Sequence, residues 1–295
     1  MHEHSSSHLE RRFWGSLLLN AGLAVGEMTA SILTGSSALL ADGLMNVDDT
    51  AALLLSIYSE RKTKQLPDAK RTFGYKRMDA FAGFVKGCLL LVTAFLAFFQ
   101  AIRLILIPEP IQGTTVIIVG CVAFFVNLFS ALWLKEDACH SLNAKSTFSC
   151  MAYDAIGSAA VVASGVLSFY SKTVYFDVAA ALLIAVLMAR TGWGIFKEGA
   201  QLFLQSAPDD FDYDAFENAV QNVKGIQSVG DIHVWSLTPL ENHLTCKVTV
   251  QIDGVCDCER IITEVEQIAL KYGVHHTTVQ PVYSSETLQR FCKSP

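Results

Sequence analysis

Asp42, Asn46, Asp48 and Asp49 fall within eight consecutive positions of the segment LADGLMNVDD, inside an otherwise apolar stretch. Residues three and four apart share a helix face. Asp42, Asn46 and Asp49 therefore form one stripe, with Met45 a turn before Asp49. A second segment repeats the spacing, with Cys150 one turn before Asp154 and Ser158 one turn after it. Brought face to face, Met45, Asp49, Cys150 and Asp154 supply four donors, the number a tetrahedral ion such as zinc takes. Methionine and cysteine in apolar helices are ordinarily packing residues. A carboxylate in that setting is costly and marks a pathway or a site. The two aspartates therefore carry this reading. Glu27 and Asp177 are read as structural hydrogen-bonding groups.

The elements that hold these residues follow from composition. Of 295 residues, 52% are hydrophobic and 17% charged, with a positive mean hydropathy, beyond the range of ordinary soluble domains. A net charge of -6 argues against nucleic acid as a partner, because phosphate binding needs clustered Lys and Arg. Neither a nucleophile–base pair nor a phosphate-cradling loop occurs in a fitting context, so no enzyme is expected. The eight cysteines lack the dense spacing of a secreted disulfide scaffold and are expected to be reduced.

Six segments reach the roughly 20 apolar residues a span requires: about 13–33, 37–59, 80–104, 113–134, 146–170 and 175–197. Residues 13–33 are too long for a signal-peptide core and read as the first span. Lys and Arg, including Arg61, Lys70, Arg71, Lys76, Arg77, Lys135 and Lys145, crowd alternate connections, which places both termini in the cytoplasm. After SAPDD at 206–210 the pattern becomes helix, strand, strand, helix, strand. In HLTCKVTVQI, Leu244, Cys246, Val248 and Val250 share one face and Thr245, Lys247 and Thr249 the other, so Cys246 reads as core before ligand. The expected architecture is an α-helical membrane protein of six transmembrane helices with a small α+β cytoplasmic domain, α-β-β-α-β and ferredoxin-like. Its parts are a His-containing tail at 1–12, the membrane domain at 13–205, the cytoplasmic domain at 206–285 and a tail at 286–295.

Five segments in this order, GSSALLADGLMNVDD, RTFGYKRMDA, SLNAKSTFSCMAYDAIGS, DIHVWSLT and HHTTVQ, resemble the cation diffusion facilitator family, closest to its zinc-transporting branch. The resemblance implies a homodimer in the lipid membrane, bacterial inner membrane by expectation, that exports divalent metal from the cytoplasm in exchange for protons. It also implies a metal-sensing, dimerising cytoplasmic domain. The family's transport ligands fall at Met45, Asp49, Cys150 and Asp154, so sulfur replaces both imidazoles. All eight histidines lie outside the six spans. Thioether and thiolate donors favour zinc (Zn2+), cadmium, cobalt, iron(II) or copper(I) over magnesium and calcium; Asn46 keeps manganese as a minor alternative. Asp42, Asn46, Asp48 and Lys86 are accessory.

Lys86 stands where the family commonly has a neutral polar residue. It is expected to neutralise Asp48 and leave Asp49 for metal; the alternative is that it occupies Asp49. The second alternative, together with the missing histidines, would make the chain a transport-impaired regulatory or scaffold homologue. A further metal site that some relatives carry on the second loop is not expected, because only Asp68 remains, with Arg71 and Tyr75 at the other positions. In the cytoplasmic domain His233 and His276 fit family metal positions and Lys247 replaces a histidine; His243, His275 and Cys246 could compensate. Cys256 and Cys258, and His2, His4 and His8, are further candidate ligands.

Overall fold

A computed structural model describes residues 3–138, 142–251 and 255–283. Two compact units emerge, one from residues 1–61 with 82–197 and the other from 62–81 with 198–295.

The first unit is built on six long helices: α1 (Glu3–Thr34), α2 (Ser37–Thr63), α3 (Met78–Leu106), α4 (Gly113–Ala138), α5 (Leu142–Ser171) and α6 (Tyr175–Phe203). All of these except α2 carry stretches long and apolar enough to cross a membrane. Asp42, Asp48 and Asp49 interrupt the apolar run of α2. It nonetheless lies beside α1: a Cβ added at Gly43 would stand 3.1 Å from Glu27 Cβ and 3.2 Å from the Met28 amide nitrogen. A side chain at position 43 therefore requires its α1 neighbours to give by a few tenths of an ångström. Outward-facing positions such as Leu18, Ile32, Phe95 and Phe125 are exposed and apolar, while Asn20, Glu27, Asp42, Asn46, Asp48, Asn127, Asp154 and Ser158 are buried. That inversion of the soluble pattern is what a hydrocarbon solvent selects.

Helix α1 starts at Glu3 and not near Phe13, so most of the expected 1–12 tail is helical. No Gly or Pro precedes Gly15, and nothing in that stretch breaks a helix. The side chains of His2, His4 and His8, and the 286–295 tail, lie outside the described residues.

The second unit holds α7 (Tyr213–Gln221), β1 (Ile226–Thr238), β2 (Glu241–Val250), α8 (Val255–Lys271) and β3 (His276–Val282), the expected α-β-β-α-β order. Asp212 caps α7 by accepting from the Ala215 amide at 3.0 Å. The sheet order is β1-β2-β3, antiparallel between β1 and β2 and parallel between β2 and β3. Phe216 and Val220 of α7 and Ile261, Val265 and Ala269 of α8 pack with Leu244, Cys246, Val248 and Val250 of β2 in one core. The alternation of β2 thus decides which of its residues can meet a ligand: the odd-numbered face carries His243, Thr245 and Lys247 away from that core. The loop leading from α2 to α3 belongs to this same unit.

Candidate metal site and its polar surroundings

The aspartate stripe of α2 divides among three neighbours. Asp49 meets Asp154 of α5, the two carboxyls within hydrogen-bonding reach. Cys150 lies one turn before Asp154 and feels the charges of Asp49, Asp154 and Lys86. Helix spacing brings these groups together, because Asp49 and Asp154 stand at facing positions of α2 and α5 and Cys150 shares the face of Asp154. Met45 packs instead against the apolar core of the helical unit. Among the described residues no three His, Cys, Asp or Glu side chains gather tightly enough to hold a metal. The four-donor set is therefore only partly assembled: two carboxylates with a thiol beside them.

Lys86 of α3 explains part of this. Its Nζ lies 3.8 Å from Asp49 Oδ1, with the lysine side chain 28% exposed and the aspartate 13%. Asp48, the expected partner, instead accepts a hydrogen bond from Thr93 Oγ1 of α3. The assignment changes because Asp48 and Asp49 are 100° apart around α2. Asp48 thus turns toward the Thr93 hydroxyl one face away, and the ammonium meets the carboxylate that also faces Asp154.

One turn and more before Asp49, Asp42 and Asn46 take part in a different cluster. Asn46 Nδ2 donates to Glu27 Oε2 at 2.7 Å and to the Asp42 carbonyl at 3.3 Å. Ser158 Oγ donates to Asp42 Oδ2 at 2.8 Å, and Asn127 Nδ2 of α4 reaches Ser158 Oγ at 3.4 Å. The Glu27 and Asp42 carboxyls face each other within hydrogen-bonding reach. Sequence spacing linked Asp42 and Asn46 to Asp49 but missed Glu27 and Asn127 as their partners. The available signal was a lone polar residue in an apolar span, as in VGEMT and FVNLF.

Asp177 has a structural place that the sequence reading anticipated in kind. From the first turn of α6 it accepts from Ser36 Oγ, from Ser37 N and Oγ at 2.7 and 2.8 Å and from Ala38 N at 3.1 Å. It thereby satisfies the orphan donors at the start of α2 from another helix and fixes the depth of the aspartates that follow.

In the second unit the histidines separate. His243 and His276 are register partners on β2 and β3 with ring centroids 4.6 Å apart. Trp235 stacks on His243 at 5.5 Å, Phe73 meets its edge at 5.4 Å, and Glu241 Oε1 lies 3.2 Å from His243 Nε2. Burial, the largest influence, holds the His243 imidazole below its ordinary pKa, against the raising effect of Glu241. The Glu241 carboxyl is itself held low, chiefly by its hydrogen bonds from Lys76 Nζ at 2.7 and 2.8 Å. His233 stands exposed, its Nε2 3.0 Å from Asp231 Oδ1, and Lys247 Nζ takes the other Asp231 oxygen at 2.6 Å. That bond, first among its causes, holds Asp231 below the usual carboxylate range.

Cys246 does not join these residues. It lies in the core on the opposite face of β2 from His243, and burial pushes its thiol up to about 12, so it stays a neutral packing group. The alternation of β2 reads Cys246 as core before ligand, and it packs in that core. On the other face of β2 the His243 and His276 imidazoles stand side by side, with Glu241 engaged by Lys76. Asp68 turns inward on its own loop, accepting from the Lys70 and Arg71 amides at 2.7 Å each, while Arg71 lies 4.7 Å over the Tyr75 ring. The pair of Cys256 and Cys258 lies partly outside the described residues, since only the Cys258 side chain is described.

Residues 14–204 match the cation efflux transmembrane domain and residues 208–281 the cytoplasmic domain of cation efflux proteins. The chain is 28% identical to the metal cation efflux system protein CzcD of Cupriavidus metallidurans, covering 100% of this chain and 94% of that protein. It is 26% identical to the zinc transporter ZitB of Pectobacterium atrosepticum, over 96% of this chain and 88% of the relative. With a cadmium, cobalt and zinc/H(+)-K(+) antiporter of Bacillus subtilis the identity is 24%, over 95% and 91%. Helices that bury carboxylates and expose apolar side chains, a small α-β-β-α-β unit and two domain matches across nearly the whole length make one case: the chain is an integral membrane protein of the cation diffusion facilitator family.

Proposed function

We propose that the chain exports a divalent transition metal, zinc or a similar ion such as cadmium, cobalt or iron(II), from the cytoplasm across a bacterial inner membrane. The observation that carries this reading is the Asp49–Asp154 pair, two carboxyls from different helices facing each other inside the helical unit. Asp49 and Asp154 bind the ion and Cys150 supplies a soft third donor. Met45 turns from packing to complete the set, a movement its unbranched side chain permits. The names of the zinc and of the cadmium, cobalt and zinc relatives agree with such a donor set.

Exchange for protons follows from the chemistry of the ligands. A carboxylate or thiol must give up its proton to bind metal, so proton arrival on the far side displaces the ion. Rocking of helices about the fixed pair alternates its access. Both termini are cytoplasmic in this reading, and the cytoplasmic units pair in a homodimer.

The 3.8 Å approach of Lys86 to Asp49 favours a second reading, a transport-impaired homologue with a regulatory or scaffold role. Competitive transport in proteoliposomes across zinc, cadmium, cobalt, iron(II) and manganese, with metal content measured on the purified protein, separates the two. Saturable flux of any of these ions supports export; none across the series, with folded protein, supports the second reading.

A further inference from the structure

The cluster around Asp42 contains more acceptors than donors. Glu27, Asp42, Asn46 and Asn127 are each 0 to 1% exposed. One oxygen of each, Glu27 Oε1, Asp42 Oδ1, Asn46 Oδ1 and Asn127 Oδ1, has no hydrogen-bond partner. Buried polar atoms are nearly always satisfied, and each exception needs a cause. A proton shared between the facing carboxyls would satisfy those two oxygens and leave both amide oxygens without a donor. A cation coordinated by the carboxyl and amide oxygens together would satisfy all four.

We propose that this cluster is a second cation site, separate from the Asp49–Asp154 pair, which takes an alkali ion. Its chemistry is set by the donors. Every one is oxygen, with Ser158 Oγ as an available fifth, and oxygen-only sites select hard cations over the softer transition metals. Each carboxylate already spends one oxygen on a protein donor, Glu27 on Asn46 and Asp42 on Ser158. The four unpartnered oxygens with Ser158 Oγ make five, short of the six to eight oxygen ligands that calcium takes. Four helices contribute: α1, α2, α4 and α5. Asn20 of α1 and Ser130 of α4 are also buried with unpartnered side-chain atoms on two of the same helices.

Gly157 supplies a way to fill the site without altering charge. A Cβ at that position would stand 3.1 Å from Asp42 Oδ1, beside one of the four unpartnered oxygens. The inference does not depend on which metal the Asp49–Asp154 pair carries.

The test uses the full-length protein in two arms. In detergent, binding of 86Rb+ or 22Na+ is measured for the native chain, Asn127→Leu and Gly157→Ala, each checked for a monodisperse elution profile. In proteoliposomes, zinc and cadmium flux is compared with potassium, sodium or N-methylglucamine as the only monovalent cation. The expected result is saturable alkali binding to the native chain, weakened at least tenfold in both variants, and metal flux stimulated by one alkali ion only when the site is intact. Preference for rubidium and potassium or for sodium identifies the ion. Absence of alkali binding to the native protein, or binding unchanged in both variants, overturns the proposal. Should no metal flux appear in any salt, the export reading fails, and the binding arm still decides this one.

Discussion

Lys86 Nζ of α3 lies 3.8 Å from Asp49 Oδ1 of α2, so an internal ammonium occupies the approach to the carboxylate that faces Asp154. An arriving cation must displace this lysine or share Asp49 with it. Removing the ammonium while keeping a polar side chain, Lys86→Asn, is expected to lower the apparent KM for metal about tenfold, equivalent to about 1.4 kcal/mol. Initial-rate flux measurements check this. A KM that rises or stays unchanged would show that Lys86 does not compete with the ion.

The cap on α2 by Asp177 predicts a stability effect remote from any ligand. Asp177→Ala strips acceptors from Ser36, Ser37 and Ala38 and is expected to cost about 2 kcal/mol, the upper range for a lost cap. Asp177→Asn keeps one acceptor oxygen and is expected to cost less. Thermal unfolding in detergent, followed by circular dichroism, measures both; equal stability of native and Ala forms would remove Asp177 from this role.

In the cytoplasmic unit, His243 is held below its ordinary pKa of 6.5 by burial. The neutral imidazole therefore favours the folded state, and this contribution is complete above pH 6.5. It is lost as the pH falls, because the unfolded chain takes up the proton first. Protection of β2 amides in hydrogen exchange, corrected for intrinsic rates, is expected to decline below about pH 6.5. His243→Asn should flatten that decline, and an unaltered pH profile in the variant would assign it to other groups.

Lys247 holds Asp231 at 2.6 Å beside His233, which places a positive charge where a metal shared by Asp231 and His233 would sit. Lys247→His is expected to add a zinc-binding event to the full-length protein in calorimetric titration, and His233→Ala in that background should abolish it. A titration that does not change on Lys247→His would show that the lysine is not what keeps metal from this position.

The sequence made the architecture legible because its signals were long. Apolar runs located the helices, and period-two alternation in HLTCKVTVQI told which face of β2 would be core, with Cys246 on it. Spacing also put Cys150 and Asp154 on one face of α5. What spacing could not supply was rotation. Asp48 and Asp49 are adjacent in sequence yet serve different neighbours, Thr93 and Lys86. Nor could it say that Glu27, one polar residue in an apolar helix, meets Asn46 and Asp42. That contact depends on the close α1–α2 approach at Gly43, a property of packing that no single helix displays.

The most direct test of the account is metal flux through Asp154→Ala in proteoliposomes, beside the native protein and Asp49→Ala, with folding confirmed by elution profile and circular dichroism. The account predicts that both substitutions reduce metal uptake, and the proton flux that accompanies it, to the level of protein-free vesicles. Saturable metal flux retained by folded Asp154→Ala would contradict it and move the transport site away from the Asp49–Asp154 pair.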